Sequence, residues 1–524
     1  MHNWWHMDDA QPILAALKRY WGYDSFRQKQ EAIIRDILAA CDVCVVMPTG
    51  GGKSLCYQLP AVLQPGKTAI VVSPLIALMQ DQVAQLANMG IAAAVLNSTL
   101  DWSAQRRNES AAEAGKLALL YVSPERLARP EFLAWLESVP LSFFAIDEAH
   151  CISEWGHEFR PDYRQLKQLR RKFPGVPIAA FTASATQHVR HDIIEQLSLR
   201  EPGKYIASFH RRNLNYLVEQ CDTRTQTARL LAVLRKHRGE SVIVYSPTKS
   251  KVAEIVELLA ENEISAVGYH AGMEAAERRE NQERWMSDEV NVLVGTVAFG
   301  LGINKGPVRA VIHLSLPKSI EQFYQEAGRA GRDGEPSDCV LLWKKSDSAL
   351  HAHFIKQIGD EAERERSWRR YHAIRDFVDA TECRHKRICA HFGERVAWQT
   401  CGACDICVPQ RTATLSAAPA AASTRRALPA PGGKARGKHA KGKRAAATVP
   451  AGVNQGLLAA LKRWRLERSR RDEVPAFVVL HDSTLQQVCA ARPKSLDALW
   501  QIPGIGEHKL HLYGEEILAI VDSN

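Results

Sequence analysis

Short apolar runs alternate with amphipathic stretches along most of this chain, and the alternation predicts its architecture. Apolar runs at 43–47, 68–72, 117–122, 143–146 and 178–182 read as strands separated by helical periodicity. The pattern restarts near 213. Strands are expected at 241–245, 266–269, 291–295, 309–314 and 339–342, with helices at 249–261, 274–287 and 319–331. Alternation of this kind argues for parallel sheets covered by helices on both faces. Residues 12–38 carry apolar positions at helical spacing and read as helix. The prediction is an α/β chain with two tandem parallel-sheet domains, 1–208 and 209–345. A helical, cysteine-bearing module at 346–407 and a small all-α domain at 451–524 follow. Residues 408–450, rich in Ala, Pro, Gly, Lys and Arg, cannot build a core and are expected to be a disordered basic linker.

Composition changes the picture in one respect. The 524 residues are 46% hydrophobic and 24% charged, ordinary for several soluble domains. No apolar run reaches 18 residues, so no membrane span is expected. The first residues, Met-His-Asn-Trp-Trp-His-Met-Asp-Asp, lack the apolar centre of a signal peptide. A cytoplasmic location is therefore expected. The net charge of +10 is concentrated: residues 408–450 hold nine Lys and Arg and no acid, whereas 451–524 are neutral. A high charge overall therefore does not imply basic folded domains. Seven of the twelve cysteines are scattered, mostly in apolar surroundings, where such side chains are usually reduced and buried. The other five crowd between Cys383 and Cys407.

Two local runs carry chemistry. Met47-Pro-Thr-Gly-Gly-Gly-Lys-Ser54 reads as a strand end, a glycine loop and a helix start. Around Thr49, Gly50, Gly51 and Gly52 such a loop turns backbone N–H groups toward one point, which suits a polyphosphate. Lys53 would meet the outer phosphates and the Ser54 hydroxyl a magnesium ion. Met47 stands where such loops usually begin with glycine. The run Phe144-Ala-Ile-Asp-Glu-Ala-His150 places two carboxylates after an apolar strand. Asp147 would hold the magnesium and Glu148 polarise a water for in-line attack. On the second α/β domain, Gln325-Glu-Ala-Gly-Arg-Ala-Gly-Arg-Asp-Gly334 offers Arg329 and Arg332. Their spacing predicts one helix face and an arginine finger, with Arg332 favoured.

These runs belong to an ordered series. Gly22-Tyr-Asp-Ser-Phe-Arg-Gln-Lys-Gln30, the phosphate loop, Val72-Ser-Pro-Leu-Ile-Ala-Leu-Met-Gln-Asp-Gln82, Tyr121-Val-Ser-Pro-Glu-Arg-Leu127 and the acidic run follow one another. Phe181-Thr-Ala-Ser-Ala-Thr186, Val297-Ala-Phe-Gly-Leu-Gly-Ile-Asn-Lys305 and the arginine run complete the series. It resembles the RecQ family of superfamily-two DNA helicases over 12–407. The resemblance implies two RecA-like domains and ATP-driven 3′-to-5′ unwinding of DNA in recombination and repair. It implies that Tyr23 and Arg27 sandwich adenine while Gln30 reads its edge. Cys151-Ile-Ser-Glu-Trp-Gly-His-Glu-Phe-Arg-Pro-Asp-Tyr163 would be the aromatic-rich loop that couples DNA to hydrolysis. There Trp155 and Phe159 offer stacking faces, and His157 and Arg160 offer charge and hydrogen bonds. The implied partners are single-stranded and branched DNA and a single-stranded-DNA-binding protein, with the chain acting as a monomer.

Cys401-Gly-Ala-Cys404-Asp-Ile-Cys407 holds overlapping Cys-x-x-Cys pairs that can share a tetrahedral ion, zinc in preference to an iron–sulfur cluster. The family pattern selects Cys383 as fourth ligand and leaves Cys389 as packing. Residues 452–524, with the turn Ile502-Pro-Gly-Ile-Gly506, resemble the family's HRDC module. Arg492, Lys509 and Tyr513 are its candidate DNA contacts. The winged-helix domain of longer relatives is expected to be absent, because no strand–helix pattern appears between 408 and 451.

Overall fold

A computed structural model describes residues 11–97, 100–297, 299, 305–410, 455–472, 474 and 476–524. The expected linker, and the segment where a winged helix is expected to be absent, lie almost wholly outside the described residues.

The first sheet contains β1 (Val43–Val46), β2 (Thr68–Val72), β3 (Ala93–Leu96), β4 (Leu119–Val122), β5 (Leu141–Ile146), β6 (Ile178–Thr182) and β7 (Gly203–Ile206). Their order is β3-β4-β2-β5-β6-β1-β7, and every pairing is parallel. The second sheet contains β8 (Leu214–Gln220), β9 (Ser241–Tyr245), β10 (Ala266–Tyr269), β11 (Val292–Gly295), β12 (Val308–His313) and β13 (Ser337–Trp343). It is ordered β10-β11-β9-β12-β13-β8 and is likewise parallel. Both are RecA-like domains. The central strands bury Val, Ile, Leu and Phe on both faces, as helix-covered parallel strands must.

Three strands were not expected from the apolar pattern: β3, β7 and β8. All three lie at sheet edges, where a strand needs no continuous apolar run. The expected helix over 12–38 is corrected: Gln11–Ala16 runs on through a π-helical turn to Trp21, and a loop then precedes helix Gln30–Leu38. The break comes at Gly22, in the left-handed region at φ +70, where a Cβ would meet the backbone of Ile505 at 2.7 Å.

The cysteine-bearing module packs helices Glu361–Asp379 and Arg384–His391 against the second sheet's helix Ile320–Ala327. The C-terminal module has helices Gln455–Arg471, Ala476–Val479, Asp482–Ala491, Leu496–Trp500 and Glu507–Asp522 around Leu457, Leu461, Leu485, Val488, Leu499 and Ile517. It touches both RecA-like domains. Arg19 pairs with Glu507 at 2.8 Å, and Asn88 Nδ2 donates to the Val478 carbonyl at 3.2 Å. Lys462 meets Asp288 at 2.7 Å. Among the described residues, no helix is long and apolar enough to cross a membrane.

Candidate active site

The phosphate loop follows β1 at the carboxyl end of its sheet, where open parallel sheets bind ligands. Gly50 and Gly52 have φ +79 and +82, and a Cβ on Gly51 would lie 2.9 Å from the Pro48 carbonyl. Side chains larger than glycine would strain or fill this cradle. Helix Lys53–Val62 presents its N-terminus behind it, so the loop fits a polyphosphate. The Lys53 ammonium reaches the Met47 carbonyl at 3.5 Å. The expected adenine residues sit beside the loop. Arg27 Nη1 donates to the Gly50 carbonyl at 2.6 Å, and Gln30 Nε2 to the Gly52 carbonyl at 3.2 Å. Tyr23 is exposed.

Asp147 and Glu148 follow β5, and Glu148 takes the left-handed conformation at φ +46. Burial, then the neighbouring Glu148 charge, pushes the Asp147 carboxyl up to about 6. Burial would also raise Glu148, but Lys53 and His150 outweigh it and bring that carboxyl down to about 2. Carboxylate and hydroxyl oxygens on Asp147 and Ser54 are hard donors of the kind that suit magnesium.

His150 extends this network. Its Nδ1 lies 2.9 Å from Thr182 Oγ1 and 3.2 Å from Glu148 Oε2. Burial disfavours its charge, yet Cys151, Glu148 and Glu158 hold its pKa well above the usual value. His157 stacks on it at 4.6 Å between centroids, and burial followed by the His150 charge lowers its pKa. Nitrogen atoms of the two rings and a Glu158 oxygen lie within 4.8 Å of one another. Parallel stacked rings direct their lone pairs side by side rather than at one point, so this cluster is a proton network more than a metal cage.

The aromatic-rich loop divides in two. His157 packs inward on buried His150, whereas Trp155 is 39% exposed. The indole stands edge-on to His188, with the guanidinium groups of Arg369 and Arg366 at 5.1 and 5.9 Å from its ring. Both arginines come from helix Glu361–Asp379. Phe159 is covered by Arg164, and Arg160 Nη1 donates to the Pro74 carbonyl at 3.1 Å.

Across the cleft the expected helix face is corrected. Helix Ile320–Ala327 ends before Arg329 and Arg332, which stand on the turn that follows, where Gly331 has φ +55. That turn still meets the phosphate loop. Thr49 Oγ1 donates to the Gly328 carbonyl at 3.1 Å, and a Cβ on Gly50 would lie 3.3 Å from Arg332 Cγ. Gln325 Nε2 donates to Ser184 Oγ at 2.9 Å, adding a second bridge. Burial, then the charges of Arg329 and Arg211, lowers the Arg332 guanidinium to about 9. Such crowding of positive charge suits an anionic ligand. Arg211, in the link between the sheets, was not singled out from sequence. A lone arginine in a polar stretch carries no motif.

The thiol sulfurs of Cys383, Cys401, Cys404 and Cys407 lie within 4.8 Å of one another. A tetrahedral zinc with ~2.3 Å bonds needs sulfurs about 3.8 Å apart, so the cluster fits it. Cys383 caps helix Arg384–His391 rather than lying within it. Cys389 is buried elsewhere, its thiol raised by burial and then by Glu394. His385 faces the Leu214 carbonyl at 2.9 Å, and His391 faces Glu321 at 2.7 Å. Two of the three candidate DNA contacts in the C-terminal module are corrected. Lys509 is 5% and Tyr513 1% exposed, so neither offers a surface to a duplex. Arg492 is exposed and donates to the Asn524 carbonyl at 3.1 Å.

Residues 27–192 match the DEAD/DEAH box helicase family and 225–334 the helicase conserved C-terminal domain. Residues 345–408 match the RecQ zinc-binding family and 454–521 the HRDC domain. An ATP-dependent DNA helicase RecQ of Pasteurella multocida is 43% identical over 399 residues, 76% of this chain and 62% of that protein. Its namesake from Bacillus subtilis is 40% identical over 406 residues, 77% of this chain and 68% of that protein. This chain thus spans between three fifths and about two thirds of those two relatives. Solved structures share the fold. The DUF1998 helicase MrfA bound to DNA and AMPPNP has a TM-score of 0.53 at 20% identity, covering 69% of this chain and 54% of its own. The S. cerevisiae protein Dbp5 bound to RNA and ADP BeF3 has 0.52 at 15%, covering 71% and 92%. With this extent of identity and four matched domains in series, the chain belongs to the RecQ family of helicases.

Proposed function

We propose that this chain hydrolyses ATP with Mg²⁺ and uses the cycle to unwind duplex or branched DNA from 3′ to 5′, in recombination and repair. The observation that carries the reading is the meeting of two half-sites. Lys53, Asp147 and Glu148 stand on one RecA-like domain, and Arg329 and Arg332 stand on a turn bonded to the phosphate loop through Thr49. In this reading the loop amides and Lys53 hold the outer phosphates, Tyr23 and Arg27 flank adenine, and Gln30 reads its edge. Ser54 and Asp147 would hold the magnesium, which supplies charge neutralisation at the phosphates. Glu148, kept ionised by Lys53 and His150, orients water and takes its proton. Arg332, with Arg329, supplies positive charge from the other side as charge develops on the transferring group.

Trp155 and Phe159 are the stacking faces for single-stranded DNA. His157 ties that loop to His150, which meets Glu148, and Arg160 ties it to the Pro74 carbonyl. The four cysteines hold a structural zinc, which contributes to folding and to no chemical step. The partners are single-stranded and branched DNA and a single-stranded-DNA-binding protein, and the chain works as a cytoplasmic monomer.

Strand displacement with 3′-tailed, 5′-tailed and forked duplexes tests the reading, with Lys53→Ala as the control. Unwinding of the 3′-tailed and forked substrates, dependent on ATP and lost in Lys53→Ala, is the expected result. Equal stimulation of ATP hydrolysis by RNA would move the substrate class away from DNA. Unwinding from 5′ tails would overturn the polarity.

A further inference from the structure

The seven residues 207–213 that join β7 to β8 carry an arginine whose hydrogen bonds cross the cleft. Arg211 Nη1 donates to the Thr49 carbonyl at 2.9 Å and to the Gly328 carbonyl at 3.4 Å. Its Nη2 donates to the carbonyls of Ala330 at 3.1 Å and Gly331 at 2.9 Å. Asn213 reinforces the second half, donating from Nδ2 to the carbonyls of Gly331 at 2.8 Å and Glu335 at 3.0 Å. A planar guanidinium can face several carbonyls at once in a fixed fork, and a lysine ammonium cannot reproduce that geometry.

The partition of these bonds matters. Three of the four carbonyls belong to the turn bearing Arg329 and Arg332, and one belongs to the phosphate loop. Arg211 therefore moves with the arginine turn, and its bond to Thr49 is one that cleft opening must break. The bond from Thr49 Oγ1 to the Gly328 carbonyl lies beside it. The four acceptors across the cleft are backbone oxygens, while Nε donates within the link to Asn213 Oδ1 at 3.4 Å.

We propose that Arg211 is a positioning residue: it sets the Arg329 and Arg332 turn against the phosphate loop in the closed cleft, and so governs turnover rather than nucleotide affinity. This rests on the reading of the cleft as an ATPase site. Removing the fork leaves the loop, Lys53 and both carboxylates in place. Nucleotide binding is retained, and the arginines lose their register when the cleft closes.

The test uses the full chain with saturating single-stranded DNA. Arg211→Ala should lower kcat for ATP hydrolysis tenfold or more while KM for ATP stays within about twofold. Arg211→Lys should behave like Arg211→Ala, because charge without the planar fork does not restore register. In an Arg332→Ala background, adding Arg211→Ala should change kcat by less than twofold, because both act through one turn. Guanidinium ion at millimolar concentration should restore part of the rate in Arg211→Ala and none in Arg211→Lys.

Additive losses in the double variant, a rise in KM at unchanged kcat, or a wild-type rate in Arg211→Lys would each overturn the proposal. If Arg211→Ala does not fold, Arg211→Lys reports the same split between kcat and KM. A wild-type chain that hydrolyses no more ATP than Lys53→Ala would instead remove the ATPase reading itself.

Discussion

Asp288, on the second RecA-like domain, lies 2.7 Å from Lys462 on the C-terminal module and 2.8 Å from Lys305 on its own domain. The two ammonium groups differ in setting. Lys305 is 2% exposed in its side chain, and Lys462 is 38% exposed. Burial would raise the Asp288 carboxyl, but Lys305 and then Lys462 hold it far below the usual range. Lys462→Ala should therefore cost only about 0–1 kcal/mol, as for a surface pair. Asp288→Ala should cost about 3–5 kcal/mol, because Lys305 is left buried without its anion. Urea unfolding of the two variants checks the asymmetry, and equal losses would show that Lys305 finds another partner.

Glu148→Gln keeps shape and removes charge. ATP binding should persist within a few fold, and turnover should fall by about 10²-fold or more, the scale of a lost general base. Equilibrium nucleotide binding together with single-turnover hydrolysis separates the two. A variant hydrolysing at the wild-type rate would take the role of base away from Glu148.

The Trp155 indole, approached by Arg366 and Arg369, stands at the junction of the aromatic-rich loop and the zinc module. Trp155→Ala should leave ATP hydrolysis without DNA nearly unchanged and abolish most of its stimulation by single-stranded DNA. The base-stacking contribution lost is about 1–3 kcal/mol. Parallel loss of both rates would instead assign the indole to packing between the domains.

Elemental analysis should find one zinc per chain. Cys383→Ser should reduce metal content and solubility, whereas Cys389→Ser should retain the metal, since its sulfur lies outside the four-sulfur cluster. A fully loaded Cys383→Ser protein would exchange their roles.

His481 in the C-terminal module gives a pH dependence. Burial, then the Lys509 charge, lowers its pKa from the ordinary 6.5 to about 4. A depressed histidine is neutral when folded, so unfolding takes up a proton below pH 6.5. Stability is thus full above about pH 6.5 and falls as pH drops toward 4, by up to about 1.4 kcal/mol per unit. Thermal unfolding of wild type and His481→Gln at pH 5.5 and 7.5 checks this. The variant should lose less stability on acidification.

The chemistry was legible where it is local. Thr49 to Ser54, Asp147 and Glu148 are contiguous runs whose backbone geometry follows from their own residues, and the Cys-x-x-Cys spacing constrains its sulfurs. Position across the chain was legible only in kind. Arg329 and Arg332 face the right cleft, but the helix ends at Ala327, before they can share its face. Nothing in the sequence around Trp155 signals that Arg366 and Arg369, two hundred residues later, approach its indole. Lys509 and Tyr513 look like DNA contacts in the sequence because their burial depends on how the C-terminal helices pack. Arg211 leaves no trace in sequence because its acceptors across the cleft are backbone carbonyls, which no side-chain pattern encodes.

Glu394, from the zinc module, grips the same link that carries Arg211. Its carboxylate accepts from Ser208 Oγ at 2.6 Å and from the Phe209 amide at 2.8 Å, while Phe392 stacks on Phe209 at 4.3 Å. Seven residues hold about fourteen soft dihedrals, and these anchors immobilise much of that number. What remains is an axle rather than a rope. Any rotation of one RecA-like domain against the other must pass through this pinned link, and the pins come from the module that carries the four-cysteine cluster. Unfolding of the four-cysteine module would therefore release the link without touching a residue of the phosphate loop.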